Sequence, residues 1–522
     1  MKATKTYRPL SNLLTEQIMP KNYINEILDT NVYDVAIESP LDFAPMLSAR
    51  LNNKVLLKRE DLQSVFSFKL RGAYNKISKL SDDQKAKGII AASAGNHAQG
   101  VALSAKVLGI KATIVMPKTT PSIKVDAVRN HGAKIVLIGD SYDDAAAHAA
   151  KLVEEKGMVY VHPYDDPLVI AGQGTIGMEI LKQHTGPIDA VFVPVGGGGL
   201  LAGIVAYIKH VRPEVKVFGV EPEDAACLKA AMDSKRRVIL PEVGIFADGV
   251  AVKQIGKETF SVIKDSIDGV ITANSDEMCA AVKDIFDDTR SIAEPAGALS
   301  LAGLKKYIAG TGATGQTLVA IHSGANINFD RLRYISERTE VGEQREAVLA
   351  VTIPEKPGAF KKFCAAIGKR MVTEFNYRYA SDGEAQIFVG VQVASGGKDR
   401  QELVTKLVDK GYQVLDLTED ELAKLHVRYM VGGHAPDVKD ELVYRFEFPE
   451  RPGALMNFLT SLGQSWNISM FHYRNHGAAY GRVLVGLQVP KGERKKVEAD
   501  FKALNYKYWD ETDNPAYKLF LG

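Results

Sequence analysis

A single lysine stands where the sequence could build a chemically active amine. Lys69 lies in the stretch SFKLRGAYNK, in which apolar residues recur at helical spacing: Phe66, Leu70, Ala73 and Ile77. A lysine at the start of an amphipathic helix either packs its stem and keeps its ammonium in water, or loses part of its hydration. Lost hydration lowers the pKa of the amine, which then acts as a nucleophile or a base. Lys69 is therefore the first candidate for covalent chemistry.

Three loops with glycine, asparagine or serine follow strand-like runs in the same part of the chain. They span Ser93–His97 (SAGNH), Gly196–Leu200 (GGGGL) and Ser323–Asn326 (SGAN). In open α/β sheets, ligands bind at the carboxyl ends of the strands, and glycine lets the backbone approach them closely. The N–H groups at the start of a following helix suit an anion, above all a phosphate. We therefore predict a phosphate-binding loop formed by Gly196, Gly197, Gly198, Gly199 and Leu200.

The four-glycine loop has a competing interpretation as a dinucleotide site. Gly197, Gly199 and Ala202 fit the pattern GxGxxA, and Glu221 ends the next strand where a ribose-binding acid is expected. A dinucleotide-binding loop is expected in the first strand–helix unit, but this loop lies deep in the domain. The nicotinamide hypothesis also gives Lys69 no role. The phosphate interpretation is therefore favoured.

Pyridoxal phosphate is the cofactor that uses all of these residues together. It needs an amine of lowered pKa, for which Lys69 is available, and a loop that binds its phosphate. Asn96 can hydrogen-bond the ring hydroxyl, and Ser323 can face the pyridine nitrogen. His97 opens a helix, where we expect a hydrogen-bonding or capping residue rather than a base.

The elements that must hold these residues alternate between strands and helices from about residue 40 to residue 330. The strand-like runs are VLLKRE (55–60), GIIAAS (88–93), ATIVMP (112–117), KIVLIG (134–139), AVFVPVG (190–196), KVFGVE (216–221) and TLVAIHSG (317–324). Several are continuous β-branched runs, which is typical of strands buried on both faces. Helical stretches such as HAQGVALSAKVLG separate them, so we predict a doubly wound α/β domain with mostly parallel strands.

The last third of the chain repeats itself. VTIPEKPGAF (351–360) matches FEFPERPGAL (446–455), FNYR (375–378) matches FHYR (471–474), and VGVQV (389–393) matches VGLQV (485–489). The matches occur in one order at nearly constant offset, which indicates a duplicated module. Each copy begins with a strand, breaks at a Pro-Gly turn and continues into a helix and further strands. This order predicts two ferredoxin-like βαββαβ modules, which follow a charged helix and linker at 334–346.

Five motifs and the duplicated tail together resemble the biosynthetic threonine deaminases (threonine ammonia-lyases). The motifs are SFKLRGAYNK, SAGNHAQGVA, PVGGGGLLAG, EPAGA and SGANINFDRLRYISER. The resemblance covers nearly the whole chain. It implies a PLP fold-type II (tryptophan-synthase β-like) catalytic domain over residues 1–345, with a linker at its C-terminal end. It also implies ACT-like regulatory modules over residues 346–420 and 441–516.

The resemblance also assigns roles to single residues. By it, Lys69 forms the Schiff base with pyridoxal 5'-phosphate, Gly196–Gly199 with Leu200 bind the phosphate, and Ser323 lies at the pyridine nitrogen. Asn96 contacts the ring, and the substrate carboxylate is bound by the loop that consists of Ser93, Ala94, Gly95, Asn96 and His97. Related serine racemases carry a serine at the position of Ala94 as a second base. We therefore expect elimination rather than racemisation.

The activity that the resemblance implies is the deamination of L-threonine, with L-serine as a secondary substrate. The products from L-threonine are 2-oxobutanoate and ammonia, in the first step of isoleucine biosynthesis. Isoleucine would inhibit the enzyme, and valine would oppose this inhibition. Tyr377 and Tyr473 are candidate effector contacts or, alternatively, packing residues between modules. The resemblance also suggests a homotetramer. A serine-preferring dehydratase, a β-replacement enzyme of the same fold and a non-catalytic amino-acid sensor are the alternative functions.

Composition restricts the remaining functions. Lys and Arg number 65 against 63 Asp and Glu, without a basic cluster that would suit nucleic acid, and no apolar run reaches membrane-spanning length. Three distant cysteines form neither a disulfide framework nor a zinc site, so we predict no metal and a reducing, cytoplasmic environment. Lys2, Lys5 and Arg8 leave organelle import as the alternative, although we expect a disordered or partner-packing tail there.

Overall fold

The computed structural model describes residues 23–342, 345–354, 359–368, 370, 372–378, 384–394, 397–429, 440–449, 467–474, 480–504 and 506–521. Its strands are β1 (Leu41–Phe43), β2 (Lys54–Arg59), β3 (Ile89–Ala92), β4 (Ala112–Met116), β5 (Lys134–Leu137), β6 (Val159–Tyr160), β7 (Ala190–Pro194), β8 (Lys216–Pro222), β9 (Gly269–Ala273), β10 (Thr317–His322), β11 (Glu346–Pro354), β12 (Val372–Arg378), β13 (Glu384–Gln392), β14 (Gln413–Asp416), β15 (Glu441–Pro449), β16 (Asn467–Arg474), β17 (Tyr480–Gln488) and β18 (Lys507–Asp510).

Its α-helices are α1 (Tyr23–Leu28), α2 (Pro45–Leu51), α3 (Lys69–Ser78), α4 (Asp82–Lys87), α5 (Asn96–Val107), α6 (Ser122–Arg129), α7 (Tyr142–Lys156), α8 (Pro167–Gln183), α9 (Gly199–Val211), α10 (Cys227–Ser234), α11 (Lys257–Ile263), α12 (Ser275–Thr289), α13 (Pro295–Thr311), α14 (Arg331–Gly342), α15 (Ala359–Ile367), α16 (Lys398–Asp409), α17 (Glu421–Leu425), α18 (Arg494–Leu504) and α19 (Pro515–Phe520). Within the described part of the chain, no helix has both the length and the apolar character that a membrane crossing needs.

The first ten strands form two sheets. The larger has the order β1-β2-β10-β7-β8-β9, with only β1 antiparallel to its neighbour, and the smaller has the all-parallel order β5-β4-β3-β6. All seven strands predicted from the sequence are present, so the mostly parallel α/β arrangement is confirmed. β1, β6 and β9 were not predicted, because they are short or only partly buried. The division into two sheets also escapes prediction, since periodicity identifies strands but not their partners.

β7 and β10 lie side by side at the centre of the larger sheet and are buried on both faces. Successive residues of β7 enter opposite cores: Val191 and Val193 join one apolar cluster, and Ala190 and Phe192 join the other. This alternation explains the continuous apolar run in the sequence. Because the two strands are parallel neighbours, the loops that follow them open at the same edge of the sheet.

α3 begins at Lys69, later than the apolar spacing indicates. Leu70, Ala73 and Ile77 are buried as predicted, but Phe66 lies outside the helix at a φ of 54° and is 57% exposed. Its assignment to the apolar stripe was therefore wrong. The chain must turn between β2 and α3, and helical spacing does not show where a turn gives way to a helix.

A buried ion cluster ties α3 to β2 and α8. Arg71 donates to Glu60 at 2.8 Å and to Glu179 at 2.5 Å, and all three side chains are at most 1% exposed. Lys58 donates to Glu179 at 2.5 Å. Since Arg71 follows Lys69 by two residues, this cluster fixes the first turn of α3.

The duplicated segments form two four-stranded antiparallel sheets of equivalent order, β12-β13-β11-β14 and β16-β17-β15-β18. The first module shows the predicted βαββαβ order directly; in the second, the segment between β15 and β16 lies outside the described residues. Equivalent strands pair in equivalent register, with Tyr377 opposite Ile387 and Tyr473 opposite Val483. A shared apolar cluster packs the two modules against each other.

Candidate active site

The backbone of Lys69 is held from two sides. A Cβ on Gly100 of α5 would lie 3.0 Å from the backbone nitrogen of Leu70 and 3.1 Å from the carbonyl carbon of Lys69, so glycine permits the close approach of α5 to α3. The N–H of Phe68 donates to the carbonyl of Ser323 at 3.3 Å. α5 and the loop after β10 together position the start of α3.

The side chain of Lys69 is partly buried, and its amine is unpaired. No hydrogen bond or ion pair joins its Nζ to another described residue, and Nζ lies 5.2 Å from the centroid of the Phe68 ring. Burial lowers the pKa of Lys69 to about 8, and the negative charge of Glu294 partly opposes this shift. Near neutral pH, a much larger fraction of this amine is therefore unprotonated than in an ordinary lysine.

The loops after β3 and β10 meet beside Lys69 through a chain of polar side chains. Asn326 donates to Oδ1 of Asn96 at 2.7 Å, and Asn96 donates to Glu294 at 2.6 Å. Asn96 opens α5, and Glu294 immediately precedes α13. Ser323 is buried, and its hydroxyl donates to a backbone carbonyl of α13 at 3.3 Å. Asn96, Ser323 and Lys69 thus lie together.

The four-glycine loop packs around Tyr164 at the start of α9. A Cβ on Gly197 would lie 2.2 Å from the Tyr164 ring, so no larger residue fits there. No side chain caps the start of α9, where an anion would find unpaired N–H groups. The Tyr164 ring packs edge-on against His162, whose pKa is lowered by burial and, to a lesser extent, by the charge of Lys69. The glycine loop therefore lies in the same site as Lys69.

His97 has a structural hydrogen bond, and the rest of its loop is open. Its Nε2 donates to the carbonyl of Val161 at 2.8 Å, in the tautomer protonated at that nitrogen. Burial, with a further contribution from Lys69, lowers the pKa of His97 to about 3, so the ring is neutral. The hydroxyl of Ser93 accepts from the N–H of Gly95 at 3.3 Å, and a Cβ on Gly95 would meet no atom within 4 Å. This loop has room for a substrate carboxylate.

Glu221 does not face the glycine loop as a ribose-binding acid would. Its carboxylate accepts from the backbone N–H groups of Leu228 at 2.7 Å and Lys229 at 2.8 Å, in the first turn of α10. The side chain is completely buried, and burial raises its pKa to about 7. Because both of its carboxylate oxygens accept backbone hydrogen bonds, Glu221 is not positioned to bind the hydroxyl groups of a ribose. The nicotinamide hypothesis was therefore wrong.

Three residues of the site follow from no sequence-based prediction: Tyr164, Asp248 and Glu294. Burial, reinforced by Asp248, raises the pKa of Glu294 to about 7. Asp248 in turn contacts Nζ of Lys124 at 2.5 Å. The one available signal was the Glu-Pro pair of the EPAGA motif, since proline favours the first turn of a helix. Tyr164 lies in an irregular segment and Asp248 begins a three-residue 3-10 helix, and both are too short for periodicity to carry information.

The candidate effector residues are placed by their backbones alone. Tyr377 lies in β12 and Tyr473 lies in β16, at equivalent register positions. Their side chains lie outside what the structure describes.

Residues 32–324 match the family model of pyridoxal-phosphate dependent enzymes. The chain belongs to this family, and pyridoxal phosphate is its cofactor. The residues present fit that group, because they offer a partly buried, unpaired amine, an uncapped helix start and polar side chains at one sheet edge. Residues 337–427 and 432–521 match the C-terminal regulatory domain of threonine dehydratase.

Two relatives match this chain over nearly its whole length, and a solved structure matches 60% of it. The L-threonine dehydratase biosynthetic IlvA of Burkholderia multivorans is 58% identical over 96% of this chain and 99% of its own. That of Pasteurella multocida is 55% identical over 98% and 100%. The structure of processed threonine deaminase isoform 2 from Solanum lycopersicum is 50% identical, covers 60% of this chain and 92% of its own, and superposes with a TM-score of 0.60. The chain therefore belongs to the biosynthetic threonine dehydratases.

Proposed function

We propose that this protein is a threonine ammonia-lyase that converts L-threonine to 2-oxobutanoate and ammonia in the first step of isoleucine biosynthesis. L-Serine is a secondary substrate. The observation that supports this most directly is the partly buried, unpaired amine of Lys69 beside the loops after β3, β7 and β10.

Each part of the site has a role in this proposal. Lys69 and the Gly196–Leu200 loop hold pyridoxal phosphate, with Asn96 at the ring hydroxyl and Ser323 at the pyridine nitrogen. When bound, the cofactor supplies an electron sink that makes the substrate α-proton acidic. Nζ of Lys69 accepts that proton, because burial lowers its pKa to about 8 and so raises the neutral fraction of the amine.

Substrate orientation falls to the Ser93–His97 loop. Its open face at Gly95 receives the substrate carboxylate, while the neutral ring of His97 holds the loop to the carbonyl of Val161. Ala94 has no group that could return a proton from the other side. The protein should therefore eliminate water from L-serine without forming D-serine, and appreciable D-serine on a chiral column would contradict this role.

Substitution of the lysine tests the catalytic proposal. We expect Lys69→Ala to lower the rate of 2-oxobutanoate release by about 1,000-fold or more, since the base that accepts the α-proton is removed. Lys79→Ala, at the other end of α3 and on the surface beside Asp29, is the matched control and should keep wild-type turnover. Near-normal turnover in Lys69→Ala would reject the assignment.

The C-terminal modules carry the proposed regulation. Isoleucine inhibits and valine opposes the inhibition, with Tyr377 and Tyr473 as effector contacts. Their equivalent register in two equivalent sheets supports a pair of related sites. Tyr377→Ala and Tyr473→Ala should each weaken inhibition by isoleucine while keeping the turnover measured without it; unchanged inhibition in both would place the effector elsewhere.

The proposed assembly is a homotetramer. Light scattering of the purified protein should then give four times the 56.9 kDa of one chain. A mass of one or two chains would contradict this assembly.

A further inference from the structure

α14 contacts both regulatory modules through two side chains one helical turn apart. Nη2 of Arg338 donates to Glu421 of the first module at 3.1 Å, and to Asp276 of α12 at 3.1 Å. Nη2 of Arg482, in β17 of the second module, donates to the hydroxyl of Tyr334 at 3.3 Å. The guanidinium groups of Arg338 and Arg482 lie 5.5 and 5.2 Å from the Tyr334 ring centroid. Cation–π contacts therefore hold this buried tyrosine between Arg338 of its own helix and Arg482 of the second module.

Tyr334 is the buried centre of these contacts, whereas the Glu421 side chain is 38% exposed. Tyr334 is 3% exposed. Although burial alone would raise it, the pKa of Glu421 is held at about 2 by Arg338 and Lys424. The ion pair thus joins α14 to the first module at a partly exposed position, beside the buried contact of Tyr334.

The start of α14 reaches the segment 246–250 in the catalytic part. Nη1 of Arg331 donates to the carbonyl of Phe246 at 2.8 Å and lies 3.7 Å from Asp248. The rings of Tyr334 and Phe246 have centroids 5.2 Å apart. Tyr334, which accepts the hydrogen bond from Arg482, therefore packs on the segment 246–250, and Arg331 contacts the same segment.

The segment at Asp248 contacts α6 on one side, and on the other side it lies close to Glu294. Its carboxylate contacts Lys124 of α6 at 2.5 Å, and α6 packs in the core of the smaller sheet. A Cβ on the adjacent Gly249 would lie 3.6 Å from Oε1 of Glu294, the acceptor of Asn96. Asp248 thus bridges the two sheets of the catalytic part beside a residue of the cofactor site.

We propose that α14 couples the regulatory modules to the active site, with Asp248 as the positioning residue through which it acts. Movement of Glu421 or Arg482 shifts α14, and Arg331 then moves the 246–250 segment and its bridge to Lys124. The distance between the two sheets of the catalytic part then changes at the active site. This inference rests on the proposed regulation of threonine deamination, but part of its test needs no effector.

Hydrogen–deuterium exchange on the cofactor-loaded full-length protein tests the mechanical part. Glu421→Gln should raise the exchange rate of the peptide over 246–250 by about fivefold or more, because the pair that restrains α14 is weakened. Glu419→Gln is the matched control: it lies two residues from Glu421 and pairs with Arg400 of α16 instead of a residue of α14. Tyr334→Phe, which keeps the ring but loses the bond from Arg482, is a second and milder variant. Changes confined to α14 and α17 in both variants would overturn the proposal.

Inhibition by isoleucine tests the regulatory part. Glu421→Gln should keep turnover without isoleucine and raise the concentration needed for half inhibition by about fivefold or more. Combining Glu421→Gln with Asp248→Asn should give no further loss of inhibition beyond the larger single effect, since both act in one chain of contacts. Additive losses would overturn the proposal. Absence of inhibition in the wild type would reject the regulation proposed above, while the exchange result would still decide the coupling.

Discussion

At the scale of single residues, the site depends on two groups of opposite charge, the buried Glu294 and the partly buried Lys69. Burial lowers the pKa of Lys69 and raises that of Glu294, so each group is driven toward its neutral form. The negative charge of Glu294 raises the pKa of Lys69 and so opposes the lowering that burial causes. The amine is therefore more basic than burial alone would leave it, and Glu294 sets the pH at which it accepts a proton.

Removing the charge of Glu294 tests this balance. Glu294→Gln keeps an acceptor for Asn96 but no longer opposes the lowered pKa of Lys69. The neutral amine then persists to lower pH, so the rising limb of the kcat–pH profile should move to lower pH. Glu223→Gln, a surface acid that contacts Lys306, is the control and should leave the profile in place. An acidic limb that stays fixed or moves to higher pH would contradict this role.

At the scale of elements, α3 depends on the ion cluster that anchors its first turn. Arg71 lies between the buried carboxylates of Glu60 and Glu179, and Lys58 also contacts Glu179. Removing one partner of a buried cluster leaves uncompensated charge, which costs far more than the loss of a surface pair. The same cluster that fixes Lys69 should therefore contribute strongly to stability.

Urea unfolding of Arg71→Met measures that contribution. We expect the free energy of unfolding to fall by about 3–5 kcal/mol, because Glu60 and Glu179 remain buried without their partner. Arg129→Met removes an exposed arginine that pairs with Asp126 on α6, and should cost less than about 1 kcal/mol. Equal losses in the two variants would show that the cluster does not anchor α3.

The same elements show how far the sequence could predict the fold. Strand-like apolar runs predicted seven strands, most clearly where a strand is apolar on both faces, as Ala190 to Val193 illustrate in β7. Short strands such as β6 give no such run, and strand pairing is a tertiary property. Lys69, Asn96 and Ser323 could be predicted because they follow strands or open helices. Tyr164 and Asp248 could not, because only packing brings such short segments to the site.

At the scale of the whole molecule, one helix connects two kinds of architecture. The catalytic part consists of parallel sheets with a site at their carboxyl edges, and the regulatory part consists of two antiparallel modules that share an apolar core. α14 contacts Asp276 in the first and Glu421 and Arg482 in the second, directly or through Tyr334. The two regulatory modules are therefore joined to the catalytic part by side-chain contacts of α14.

The measurement that tests the central claim most directly is the release of 2-oxo acid from L-threonine by the full-length protein, with and without L-isoleucine. We predict 2-oxobutanoate and ammonia in equal amounts, with release suppressed by isoleucine and restored by valine. No 2-oxo acid from protein shown by absorbance to carry pyridoxal phosphate would contradict the proposed reaction. Release that is indifferent to isoleucine would keep the reaction and contradict the proposed regulation.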